Sequence, residues 1–213
     1  MFIPEYICVL DFEATCEKDN KNFENEIIEF PSVLLQNIDG TYYTVSEFRY
    51  FCKPLKNPIL SEFCKKLTGI NQYQVDNGYS FPEVLNMHFE WLKTYSSCDI
   101  MIVTCGSWDL NDIFKKECKR WNIKKHPKIY TKFINIIYEF KRFYFFNYDP
   151  GMKKMMEYLN IPLYGRHHSG IDDCRNIAQI WNRMVLNGYT TTYKSVIYIY
   201  KKKTTYDNYV INF

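Results

Sequence analysis

Between Tyr6 and Lys53 the chain offers three β-type segments in a row, and from Ser61 onward its apolar spacing turns helical. That switch constrains the fold more than any single residue does. "YICVLD" is a short apolar run, "NEIIEFPSVLLQN" a longer one, and "GTYYTVSEFRYFCKP" alternates, with Asp39-Gly40 as the hairpin signal between the last two. Three such strands predict an antiparallel meander.

The second half interleaves helices with further strands. "LSEFCKKLTGI" reads as a short helix stopped at Gly69, and "SFPEVLNMHFEWLKTY" puts Val84, Leu85, Phe89 and Leu92 on one helical face. "DIMIVTC" is a fourth strand, and "SWDLNDIFKKECKRWN" an amphipathic helix with Leu110, Ile113, Phe114 and Trp121 inward. "INIIYEFKRFY" suits strand or helix, the helix being preferred; "GMKKMMEYLN" is a short helix. "GIDDCRNIAQIWNRMVLNG" is a long helix with Ile177, Ile180, Trp181 and Met184 inward and Gly188 just beyond its end. The expected fold is therefore α/β, a mixed sheet in which an antiparallel meander is followed by parallel strands, with helices on both faces. One domain is expected over residues 1–188, with a Tyr-, Thr- and Lys-rich extension over 189–213 that reads equally as an extra strand or a basic tail.

Composition bounds the class. With 213 residues, 46% hydrophobic and 24% charged, the chain can bury a sizeable core. A net charge of +3 does not by itself argue for nucleic acid. The eight cysteines never fall as C-x-x-C, which fits free thiols in a reducing compartment rather than a disulfide framework or a zinc knuckle. No apolar run approaches the roughly 18 residues that span a bilayer, and "MFIPEYICVL" is a poor signal peptide. A soluble, intracellular protein is expected.

The first strand ends on two carboxylates. Asp11 and Glu13 stand two apart, so on a strand both leave the same face. Like charges that close raise each other's pKa unless a cation sits between them, and Mg²⁺ or Mn²⁺ suits oxygen ligands. Taken alone, a solvated strand end explains D-x-E as well or better. Asp109 opens a helix after "DIMIVTC", where the helix dipole alone accounts for a single carboxylate. Asp172 and Asp173 separate by periodicity. Steps of four and seven from Asp173 reach Ile177 and Ile180, the buried face, whereas from Asp172 they reach Asn176 and Gln179, expected in solvent. Asp173 thus points inward, where an unpaired carboxylate is costly. Just ahead, "GRHHSG" carries two of the four histidines; an imidazole beside clustered carboxylates suits general-base work near neutral pH, although two surface histidines fit the same stretch.

The order D-x-E, an Asp after a middle strand, and H-x-x-x-x-D at a helix start resembles the DEDDh class of 3′→5′ exonucleases, whose fold is RNase H-like. "DFEATCE", "NEIIEFPSVLL", "LSEFCKKLTGI", "VTCGSWDL" and "GRHHSGIDDCRNIA" resemble the Eri-type RNA exonucleases within it, over roughly Tyr6 to Gly188. "VTCGSW" and "HSGIDDC" are closest in wording to the prion-protein-interacting branch.

The resemblance implies that Asp11, Glu13, Asp109 and Asp173 hold two Mg²⁺ or Mn²⁺ ions. Asp11 is shared between them, and Glu13 and Asp173 stand where the attacking water is held. His168, five residues before Asp173, is implied as general base. His167 stands where the family usually has proline, at the wrong spacing for the motif. Phe12, Ala14, Leu67, Thr68 and Trp108 are implied around the terminal nucleotide, though core packing explains Leu67 and Trp108 equally well. Lys65, Lys66, Lys115, Lys116, Lys119, Arg120, Lys124 and Lys125 are candidates to track phosphates, and a solvated helix face explains each of them equally. The implied substrate is the 3′ end of single-stranded RNA, hydrolysed to nucleoside 5′-monophosphates in RNA processing or turnover. The alternatives are the same chemistry on single-stranded DNA and a non-catalytic RNA-binding scaffold. Only ten residues precede Asp11, so no N-terminal nucleic-acid-binding module is expected and histone mRNA is not the expected substrate. Selection of a particular RNA is left to the nuclease domain or to a protein partner. A cytoplasmic or nuclear location is expected, without a membrane.

Overall fold

β1 (Tyr6–Leu10) and β5 (Ile100–Thr104) are buried at every position and lie side by side in parallel at the centre of the sheet. A strand covered on both faces has no polar side to show, which is why both sequences are continuous apolar runs. The computed structural model describes residues 3–20, 22–95 and 100–199. Within them, β3 (Ile27–Ile38) pairs antiparallel with β1 and, on its other edge, with β4 (Thr41–Phe51). The hairpin joining β3 to β4 turns at Asp39 and Gly40, both at positive φ (51° and 85°), as the Asp-Gly signal requires. β6 (Lys132–Asn135) extends the sheet parallel to β5, and β7 (Val196–Tyr198) closes that edge antiparallel to β6. The sheet is mixed, as expected.

A two-residue strand that sequence reading missed, β2 (Glu13–Ala14), continues β1 along the same edge of β3. Leu10 faces Ser32 and Glu13 faces Glu29, so the register is unchanged across the break at Asp11 and Phe12. In that register Asp11 stands opposite Pro31, a residue with no N–H to give a ladder. The pause in pairing therefore falls between the two carboxylates.

Helices cover both faces. Ile7, Val9, Met101 and Val103 face one core with α5 (Ile136–Phe143), α6 (Met152–Tyr158) and α7 (Gly170–Leu186). The alternate residues Tyr6, Cys8, Leu10, Ile100 and Ile102 face a second core with α3 (Phe81–Lys93) and α4 (Phe114–Arg120). α1 (Glu62–Thr68) ends at Gly69 in the left-handed region (φ 76°), and α2 (Gln72–Asp76), which the sequence did not announce, follows at once.

Four local expectations need correction. "INIIYEFKRFY" is both elements in turn: the strand ends at Asn135, whose side chain caps α5 by accepting from Ile137 N, and the helix begins there. On α3 the fully buried polar residue is His88 and Phe89 is only half-buried. His88 is held by Ser32 Oγ on Nε2 (2.9 Å) and Tyr130 Oη on Nδ1 (2.7 Å), and burial pushes its pKa down to about 3. Trp121 is half-buried rather than inward. Asn176, expected in solvent, is fully buried: its amide pairs with both N–H and C=O of Tyr164 (2.9 Å each), tying the loop before α7 to the helix. Beyond Gly188, Tyr189 is buried against Trp181 and donates to Glu139 Oε2 (2.8 Å). Lys201 to Lys203 and Cys98 lie outside the described residues; the other seven cysteines are free thiols.

Candidate active site

The carboxyl ends of the parallel strands β1 and β5 open onto a cleft of about 480 Å³. Crevices of this kind form where α/β sheets leave side chains beyond the strand ends. Asp11 and Glu13 enter it from the β1–β2 edge, Asp109 from the helical segment after β5, and Asp173 from the first turn of α7. One carboxylate oxygen from each of Asp11, Glu13 and Asp173 lies within 4.8 Å of the others. Asp109 reaches the same cleft and is anchored by the Phe12 N–H, which donates to its Oδ1 at 2.9 Å. Glu13, Asp109 and Asp173 are buried and Asp11 is half-buried.

Burial and crowding raise the carboxyl pKa values. Burial, then the charges of Asp109, Glu13 and Asp173, holds the Asp11 carboxyl well above the usual range. Burial, followed by Glu29, Asp173 and Asp109, pushes Glu13 up to about 9. Asp109 is raised to about 7 by burial, with the Phe12 N–H pulling the other way. Among the described residues no lysine or arginine pairs with any of the four; the one basic partner is His167, whose Nδ1 is 3.3 Å from Asp173 Oδ1. An all-oxygen donor set with no lysine or arginine counter-charge fits hard divalent cations such as Mg²⁺ or Mn²⁺.

The histidine loop forms the far wall. His168 sits at positive φ (64°), and its N–H donates to Asp173 Oδ2 at 2.9 Å, so Asp173 fixes the loop as well as facing the cleft. The His168 ring is exposed, and burial of part of it, then the neighbouring His167, lowers its pKa. It therefore stays neutral and able to accept a proton near pH 7. His167 also lines the cleft and stacks on His168, with ring centroids 3.9 Å apart. Its spacing had counted against it.

Phe12, Ala14, Leu67, Thr68 and Trp108 all line the cleft. Phe12 is buried edge-on against Phe30, and Thr68 Oγ1 is engaged within α1 and its cap, donating to Cys64 O and accepting from Ile70 N. Trp108 is 41% exposed, the freest aromatic surface of the five. Two positioning features escaped sequence reading. Arg166 reaches from the histidine loop to the carbonyls of Lys66 and Leu67, bridging opposite rims. Glu29, opposite Glu13, accepts from Arg49 Nε (2.6 Å) and from the Gly170 N–H that starts α7 (3.3 Å). Both link segments far apart in the chain, which local spacing does not encode. Arg120, a phosphate candidate, is instead turned into the protein and paired with Glu117.

The sequence profile of the Exonuclease family (RNase_T) matches residues 8–181. The chain belongs to this family. It is 42% identical over 192 residues to 3′-5′ exoribonuclease 1 of Mus musculus, covering 86% of this chain and 54% of that protein. To ERI1 exoribonuclease 2 of Xenopus laevis it is 38% identical over 203 residues, covering 86% of this chain and 29% of the relative. The chain thus spans about half or less of the length of these relatives. Two solved structures agree. The nuclease domain of 3′hExo, a DEDDh family member bound to rAMP, superimposes with TM-score 0.78 at 38% identity, covering 87% of this chain and 94% of that one. A 3′-exonuclease seen in recognition of the histone mRNA stem-loop gives TM-score 0.82 at 36% identity, covering 88% and 84%. The mixed sheet with helices on both faces matches RNase H-like architecture. No helix among the described residues is long and apolar enough to cross a membrane.

Proposed function

We propose that the protein is a metal-dependent 3′→5′ exoribonuclease that releases nucleoside 5′-monophosphates from single-stranded RNA ends. The observation that carries this reading is the convergence of Asp11, Glu13, Asp109 and Asp173 on one cleft beside an exposed, neutral His168. Asp11, Glu13 and Asp173 would hold the divalent cations, with Asp109 completing the set. Bound there, two such ions supply positive charge to the attacking and leaving oxygens of an in-line displacement. His168 takes the proton from the attacking water, and its backbone bond to Asp173 fixes where the imidazole starts. Trp108 offers a ring face to the terminal base, a contact indifferent to sequence. The likeness to a nuclease domain bound to rAMP supports a 5′-nucleotide product.

RNA rather than DNA is favoured by the exoribonuclease relatives; the 2′-OH is the group that would decide. The narrower placement in the prion-protein-interacting branch rests on "VTCGSW" and "HSGIDDC" alone. The decisive assay uses 5′-labelled RNA with Mg²⁺ or Mn²⁺, with and without EDTA, beside 3′-phosphate-blocked RNA, a DNA of the same sequence and Asp11→Ala. A ladder shortening from the 3′ end, abolished by EDTA and by Asp11→Ala, is expected. Intact RNA that still shifts on a native gel would sink the enzyme reading in favour of a binding scaffold.

A further inference from the structure

Beside the all-oxygen cluster lies a second one of different chemistry. One ligand atom from each of His167, His168 and Asp173 lies within 4.8 Å of the others. The two imidazoles are stacked (centroids 3.9 Å, 26° between planes), and His167 Nδ1 already rests 3.3 Å from Asp173 Oδ1. Two nitrogens and one oxygen on a cleft wall open to water are the donor set of a three-ligand zinc site with its fourth position free. Tetrahedral zinc with bonds of about 2.0–2.1 Å places its ligands about 3.3 Å apart. Rotation of half-exposed and exposed rings on the loop before α7 can close the remaining distance.

We infer that His167, His168 and Asp173 form an inhibitory site for zinc-class divalent cations, distinct in donor chemistry from the carboxylate set. The inhibition rests on the exonuclease reading above; the binding does not. Imidazole donors favour Zn²⁺ and Co²⁺ over Mg²⁺, whereas carboxylate and water suit Mg²⁺. A cation on the histidine pair occupies the lone pair with which His168 would accept a proton. It also takes an oxygen of Asp173, the residue common to both clusters. Hard metal supports the reaction and borderline metal stops it, on adjoining ligands.

The test is Co²⁺ titration of the whole protein followed by visible absorption, with Asp11→Ala and His167→Ala beside the wild type and far-UV dichroism to check folding. One cobalt with the absorption of a four- or five-coordinate nitrogen site is expected in the wild type and in Asp11→Ala, displaced by Zn²⁺ and not by Mg²⁺, and absent from folded His167→Ala. A spectrum unchanged in His167→Ala, or lost in Asp11→Ala, would overturn the site. So would a near-ultraviolet thiolate band, which would assign the metal to cysteine ligands. In excess Mg²⁺, zinc is expected to slow RNA shortening at least tenfold, and His167→Ala, scored against its own zinc-free rate, to need at least tenfold more zinc. Cobalt binding as described with undiminished nuclease activity in zinc would overturn the inhibition alone. Binding by a protein with no nuclease activity would leave the site and remove the exonuclease reading.

Discussion

The backbone N–H of Phe12 donates to Asp109 Oδ1 at 2.9 Å, so the residue between Asp11 and Glu13 is tied directly to a carboxylate about a hundred positions away. One bond fixes the spacing of the β1–β2 edge relative to the segment after β5, and it uses an N–H that the interrupted ladder leaves free.

Asp109→Asn keeps an acceptor for Phe12 and removes a charge from a crowded cluster. The metal-free variant is expected to be as stable as the wild type or more so, by up to about 1 kcal/mol, because like-charge repulsion falls. Activity is expected to drop at least about a hundredfold, by loss of about 3 kcal/mol of transition-state stabilisation. Asp109→Ala also strands the buried Phe12 N–H, at a cost of about 1–3 kcal/mol. Urea denaturation in EDTA and single-turnover rates separate the two effects; an Asn variant less stable than Ala would refute the assignment.

The raised carboxylates predict how metal-free stability changes with pH. Glu13 titrates at about 9 and Asp109 at about 7 in the folded protein, against 4.5 and 3.8 for the ordinary side chains. The folded form therefore binds these protons more tightly than the unfolded chain. Stability is full at acid pH, falls as pH rises past the ordinary values, and goes on falling up to the folded ones. Melting temperature in EDTA should decline between about pH 5 and pH 9, and the rise on adding Mn²⁺ should grow over the same window. A flat profile in EDTA would show that the cluster is not strained.

Arg49 is the counter-charge to the buried Glu29. Arg49→Ala leaves that carboxylate facing Glu13 and the start of α7 without compensation. Breaking a buried pair costs about 3–5 kcal/mol, and because the Arg49 side chain is 43% exposed we expect about 2 kcal/mol after screening. Adding Glu29→Gln should recover part of the loss, by denaturant midpoint. No recovery would mean that Arg49 acts by packing alone.

Gly170 packs where no side chain fits. A Cβ there would stand 2.7 Å from Pro31 Cγ in β3 and 2.9 Å from the carbonyl of Asp11, just after β1. Gly170→Ala should cost about 1–3 kcal/mol by overpacking and lift the N-terminus of α7, with Asp173, away from Asp11. The expected signature is weaker Mn²⁺ binding in a folded protein; unchanged affinity would place the strain elsewhere.

Sequence patterning carried most of the fold, because its determinants are local. β1 and β5 are runs buried on both faces, β3 and β4 join at an Asp-Gly turn, and α7 repeats its apolar residues at helical spacing. It also separated Asp173 from Asp172, since burial of one face is a property of the helix itself. Tertiary structure decided what depends on partners distant in sequence. Asn176 is buried because Tyr164 supplies matching backbone groups, and His88 because Ser32 and Tyr130 satisfy both ring nitrogens. His167 joins the cleft because the loop turns through His168 at positive φ and is held by Asp173. Motif spacing can name the residues that carry charge. Only the folded chain brings Glu13, Asp109 and Asp173 close enough to raise their mutual repulsion, because that energy depends on separation in space and on exclusion of water.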